Sequence, residues 1–292
     1  MNKFLRGLVF LFIFLIPVAF YYFYHPKNEH SSSVSQSVKH GSRPVSPAKR
    51  NGKVLLNPAA APAPAVVPPV PLPEIAMIFD DLGESLRDVR ELYSLGVPLT
   101  VAIIPGLKHS EDIAYVAKNC GFSIMVHLPL EPSAKANYTH AQYKFITRRM
   151  SDRNINALLR YYLHGVPSAI GVNNHMGSAA TQDRHMMDIV LDNIKQNNLI
   201  FIDSRTSLES IAYDMALKKG IVAGQNQGFI DAVMDVPSIE KKLDHLAQLA
   251  QEQGKILIIG HPRKTTIAAL KNKLPLLKTK VRFITLKEYF GK

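Results

Sequence analysis

The chain has 292 residues, 47% hydrophobic and 20% charged, apolar enough to bury a sizeable core. Its formal net charge of +12 is unevenly spread: eight lysines and arginines stand against the single acid Glu29 before Glu74, and no basic helix with interleaved aromatics follows. That distribution argues against nucleic acid as a partner, and the lone Cys120 excludes an internal disulfide.

Residues 1–24 come first. The apolar run from Leu8 to Tyr24 is long enough to cross a bilayer core as a helix, and Lys3 and Arg6 ahead of it favour an N-terminus left in the cytoplasm. Residues 17–24 offer no small-x-small cleavage site, and their tyrosines suit a membrane interface. The expectation is an uncleaved anchor in the inner membrane, with the rest of the chain outside the cytoplasm, in the periplasm or envelope. A cleaved signal and a secreted form are the alternative. Residues 25–73 are rich in Ser, Pro and Ala without periodicity, which predicts a disordered-to-extended linker.

From residue 74 onward, short apolar runs alternate with amphipathic stretches. Strands are predicted at 75–79, 99–104, 122–126, 169–172, 199–202, 221–223, 255–259 and 281–285. Helices are predicted at 85–94, 110–119, 152–164, 183–197, 208–219, 238–253 and 266–273. This alternation implies parallel strands with helices outside, and the number of units points to a barrel-like α/β sheet.

In such folds reactive groups gather at the carboxyl ends of strands. Five ends carry polar groups: Asp80-Asp81; His127 through Glu131; Asn173-Asn174-His175; Asp203-Ser204-Arg205; and His261 with Arg263. Either aspartate alone would read equally well as a helix cap. Grouped with the histidines, the pair reads as half of a site in which one carboxylate binds a divalent cation and the other takes a proton from water. His109, His140, His164, His185 and His245 receive no role, because a solitary histidine is more often structural.

Taken together, these five ordered motifs resemble the divergent polysaccharide deacetylase family, remote relatives of the carbohydrate esterases that remove N- or O-acetyl groups from glycans. The likeness spans 74–292. It implies a deformed (β/α) barrel of about seven parallel strands, a divalent metal (usually zinc) and an acetylated envelope polysaccharide or peptidoglycan-type glycan as substrate. Carried onto this chain, it gives Asp80 the role of general base, Asp81 and His127 those of metal ligands, and His261 that of general acid. Ordinary deacetylases take two ligands from a His-x-x-x-His segment, whereas here Glu131 stands where the second histidine would be. His175 is taken as the third ligand, with Glu131 as the alternative. Asn174, Asp203, Ser204, Arg205 and Arg263 are expected to touch substrate. The rival expectation is a non-catalytic envelope protein that binds glycan or a protein partner through a vestigial site. A receiver domain is excluded because His127 stands where an aspartate is needed, and a serine hydrolase because no Gly-x-Ser-x-Gly elbow is present.

Overall fold

The computed structural model describes residues 71–133 and 143–291. The anchor expected at 1–24, and all but the last three residues of the linker expected at 25–73, lie outside them. Among the described residues no helix is long and apolar enough to cross a membrane.

Eight strands form one sheet: β1 (Glu74–Leu82), β2 (Thr100–Ile103), β3 (Ser123–Leu130), β4 (Gly171–Met176), β5 (Ile200–Asp203), β6 (Ala223–Gln225), β7 (Lys255–Gly260) and β8 (Arg282–Ile284). The order is β6-β5-β4-β3-β2-β1-β7, and every pairing is parallel. Strand β8 lies beside the first residues of β1, below the point where β2 begins to pair with it. Beyond β6, residues 227–230 hydrogen-bond to β7 (Gln227 N to Leu257 O, 2.9 Å; Ile230 N to Ile259 O, 2.9 Å), so the seven-stranded ring is nearly closed. The longer helices between strands are α1 (Leu86–Tyr93), α2 (Ser110–Asn119), α3 (Asp152–His164), α4 (Arg184–Gln196), α5 (Ala212–Lys218), α6 (Val236–Gln253) and α7 (Lys264–Leu277), with a short α8 (Leu286–Tyr289) after β8. A deformed (β/α) barrel is therefore the observed architecture.

Two apolar layers hold it. The larger packs the outward strand faces, with Met77, Phe79, Val101 and Val126, against the helices. The smaller fills the barrel interior with Ala76 and Ile78, Met125, Ile200 and Ile202, Leu257 and Ile259. Side chains alternate along a strand, so the next inward positions are Asp80, His127, Ser204 and His261. The polar site is thus the top layer of the same inward series whose lower layers are hydrocarbon.

Three strands outrun their expected ends, and β6, expected at 221–223, lies two residues later at Ala223–Gln225. β1, β3 and β4 continue three or four residues beyond their apolar runs, and His127 pairs with Asn173 while Pro129 pairs with His175. The site residues therefore lie within the ladder, where backbone pairing restrains them, and not on loops after it. The helix expected from 208 begins only at Ala212, because Ser210 donates to Asp203 Oδ2 (2.6 Å) and holds the preceding residues as a turn.

Candidate metal centre and active site

Asp80 and Asp81 should point to opposite faces of β1. A bulge prevents this: between Phe79 and Leu82 two residues of β1 oppose one of β2, and Asp81 adopts φ +63°. Asp is among the few non-glycine residues that tolerate the left-handed region, and bulges re-aim side chains at sites. Both carboxylates thereby reach one cavity of about 370 Å³, shared with His127, His175, Asp231 and His261.

Inside it, Asp81 Oδ1 lies 2.8 Å from His175 Nδ1 and 3.1 Å from His127 Nε2, and the two ring nitrogens are 3.1 Å apart. Ligands about 2.0–2.1 Å from a tetrahedral zinc would stand about 3.3 Å from one another, so the spacing fits one shared ion. The proton positions fit as well. Asn173 Nδ2 donates to Asp80 Oδ1 (2.8 Å), which leaves its Oδ1 to accept from His127 Nδ1–H (2.9 Å). That bond fixes the tautomer in which a neutral His127 turns the Nε2 lone pair toward Asp81, an arrangement a cation between them satisfies. Tyr143 OH sits 2.7 Å from His175 Nε2 and leaves Nδ1 on the shared point.

The electrostatics agree. Burial alone would raise the Asp81 carboxyl, but the His127 and His175 imidazoles beside it outweigh burial and hold the group well below the usual range, the same pull toward positive charge that a cation at the shared point would satisfy. Burial likewise lowers His127, yet Asp80 and Asp81 beside it push its pKa up, which marks a field favouring positive charge. For His175 burial prevails and its pKa falls, keeping the ring neutral. Asp80, fully enclosed, is raised by burial despite His127 and His261 nearby.

Glu131 does not join this cluster. Its carboxylate accepts from the Arg148 backbone N–H (2.7 Å) and from the Arg148 guanidinium (3.1 and 3.3 Å), outside the cavity. Asp203 and Arg205, expected as substrate contacts, do not line it either. Asp203 accepts from Arg205 N and Ser210 Oγ, and the Arg205 guanidinium donates to the carbonyls of Leu208 and Ser210, so both are spent closing their own turn. Asn174 borders the cavity, but its amide is committed to Ser204 N and Met176 O, tying β4 to β5. Ser204 and Arg263 do line it.

Sequence reasoning passed over two residues. Asn173 is the inward neighbour of Asn174 and bridges Asp80 to His127. Asp231 is wholly buried, accepts from His261 Nδ1 (2.9 Å), His261 N and Thr266 Oγ1, and pairs with Arg263. Its burial would raise it, but the hydrogen bond from His261 outweighs that and lowers it. In return, Asp231 raises His261 against the effect of burial. A signal for Asp231 was present: Phe229-Ile230-Asp231 repeats the apolar-apolar-Asp pattern of 78–80 and 201–203, and Phe229 bridges to Ile259 as a strand would.

The family model described as divergent polysaccharide deacetylase matches residues 77–290. An uncharacterised protein of Haemophilus influenzae (strain Rd) is 29% identical over 68% of this chain and 70% of its own length. An uncharacterised Escherichia coli K12 protein, YibQ, is 28% identical over 71% of this chain, which spans 64% of that relative. Among solved structures, an uncharacterised protein of Agrobacterium tumefaciens C58 superposes with a TM-score of 0.67 at 18% identity, over 76% of this chain and 90% of its own. That likeness speaks to the fold.

Proposed function

The chain belongs to the divergent polysaccharide deacetylase family, and from that premise we propose that its cavity hydrolyses an acetyl amide or ester on an envelope glycan. The observation that carries the reading is the convergence of Asp81, His127 and His175 on one point, with Asp80 3.6 Å from His127 and His261 3.7 Å from Asp81. Two imidazoles and one carboxylate with space beyond them suit zinc, which would supply a Lewis acid for the acetyl oxygen and make water acidic enough to attack.

The chain's own residues divide the proton transfers. Asp80, 3.6 Å from His127 and held by Asn173, accepts the proton of the attacking water. Burial raises its basicity toward that task. His261 presents Nε2 to the cavity because Nδ1 is occupied by Asp231, and the Asp231 carboxylate favours the imidazolium. His261 therefore holds the proton that the leaving amine or alkoxide needs. Arg263, partly exposed, and Ser204, buried in the cavity wall, are the lining groups proposed to meet glycan hydroxyls. The apolar run from Leu8 to Tyr24, with Lys3 and Arg6 before it, supports an anchor in the inner membrane, with the domain facing the envelope.

The test is direct. The purified protein should bind one zinc per chain and release acetate from acetylated peptidoglycan or chitooligosaccharide fragments. Asp80→Asn should keep the metal and lose at least about a hundredfold in kcat. Absence of stoichiometric divalent metal after reconstitution sinks the reading.

A further inference from the structure

Beside the metal centre lies a second groove, of about 450 Å³, that the chemistry above does not use. Phe229 and Ala232 line both spaces and form the wall between them. The floor of the groove is hydrocarbon, from Phe229, Ile230, Ala232 and Val233. Val233 in the groove is about 60% exposed, and the adjacent Met234, equally exposed, borders the metal-side cavity, so an apolar surface runs from one space to the other.

The opposite side is cationic for a helical reason. Ser238, Lys241, Lys242 and His245 fall at i, i+3, i+4 and i+7 on α6 and make one stripe facing the groove. The three acids of the same helix are engaged elsewhere: Glu240 accepts from Asn272 and Asp244 from Lys273, both on α7, and Glu252 accepts from Gln248, while Asp235 caps the helix at Ser238 N. Among the described residues neither Lys241 nor Lys242 has a carboxylate partner. A sugar would need several converging polar groups to replace its water, and besides the two lysines the groove offers one hydroxyl, from Ser238, and one imidazole, from His245. A hydrocarbon chain ending in an anion matches both surfaces.

We propose that this groove binds the hydrocarbon chain of an anionic glycolipid, whose phosphate is held by Lys241 and Lys242 while its sugar enters the metal centre across Phe229. The Phe229 ring lies against the His261 imidazole, with centroids 6.1 Å apart and planes 13° from parallel, so a chain in the groove would end beside the general acid. The assignment names the substrate class for the deacetylase reading and rests on that reading for the reaction next door.

The full-length protein in phosphatidylcholine nanodiscs would be photolabelled with a diazirine-bearing dodecyl phosphate and with the corresponding uncharged dodecanol, and the labelled peptides mapped by mass spectrometry. The phosphate probe should label residues 229–245, and both Lys241→Gln/Lys242→Gln and Val233→Asp should cut that labelling at least about tenfold. Equal labelling by the uncharged probe, full labelling of the lysine variant, or protection by chitotetraose instead of dodecyl phosphate would each overturn the assignment. Labelling needs no turnover. A protein that labels as expected but releases no acetate refutes the activity and leaves the groove standing.

Discussion

His261 has two ring nitrogens with separate tasks, and its partner sets both. Asp231 takes Nδ1 and leaves Nε2 for the substrate, 3.7 Å from Asp81 Oδ2. The pair should also be visible in stability. Asp231 is depressed below the ordinary carboxyl value of 3.8, so its contribution is present above that value and lost as pH falls through the folded pKa. His261 is raised above 6.5, so its contribution is present below that value and lost as pH rises through the folded pKa. Asp231→Asn keeps the shape and removes the charge. In metal-free protein, its loss of unfolding free energy against wild type should be largest between about pH 4 and 6.5, at about 1–3 kcal/mol, and should shrink on both sides. A deficit independent of pH would mean that Asp231 acts through packing alone.

At the scale of the element, the site depends on how closely the segment after β6 approaches β7. Gly260 ends β7 directly before His261, and a Cβ there would come within 2.5 Å of Ile230 Cδ1 and 2.7 Å of Ile230 Cγ1. Ile230 is buried and adjoins Asp231, so it cannot yield without moving the partner of the general acid. Gly260→Ala should cost about 1–3 kcal/mol in urea unfolding and lower kcat more than it raises KM. The alternation of β1, β3 and β7 was legible as apolar runs, and so was the polar residue that follows each. The bulge at Asp80-Asp81 was not, because a run of residues carries no mark of two facing one across a pair. Nor was the fate of Asp203 and Arg205. Their polar turn is the same residue pattern whether it faces substrate or closes on Ser210, and only the partner decides.

For the whole molecule, the strand ends were readable, and the sequence preferred His175 over Glu131 only by its likeness to a two-imidazole set; what holds Glu131 away was not readable, since that lies with Arg148, a residue seventeen positions beyond it. A global measurement can make the same distinction. The proposed ligands come from β1, β3 and β4, positions brought together only by the closed barrel, so metal should bind the folded state and hardly the unfolded one. Free zinc at a hundred times its Kd would then add about 2.7 kcal/mol, and a domain of this size should gain roughly 5–10 °C in Tm. His127→Ala or His175→Ala should abolish the gain. Glu131→Ala should lower the Tm of the metal-free protein through loss of the Arg148 contacts, yet leave the zinc-dependent increment intact. Losing that increment in Glu131→Ala while retaining it in His175→Ala would move the third ligand to the glutamate and require the Arg148 pairing to open when metal binds.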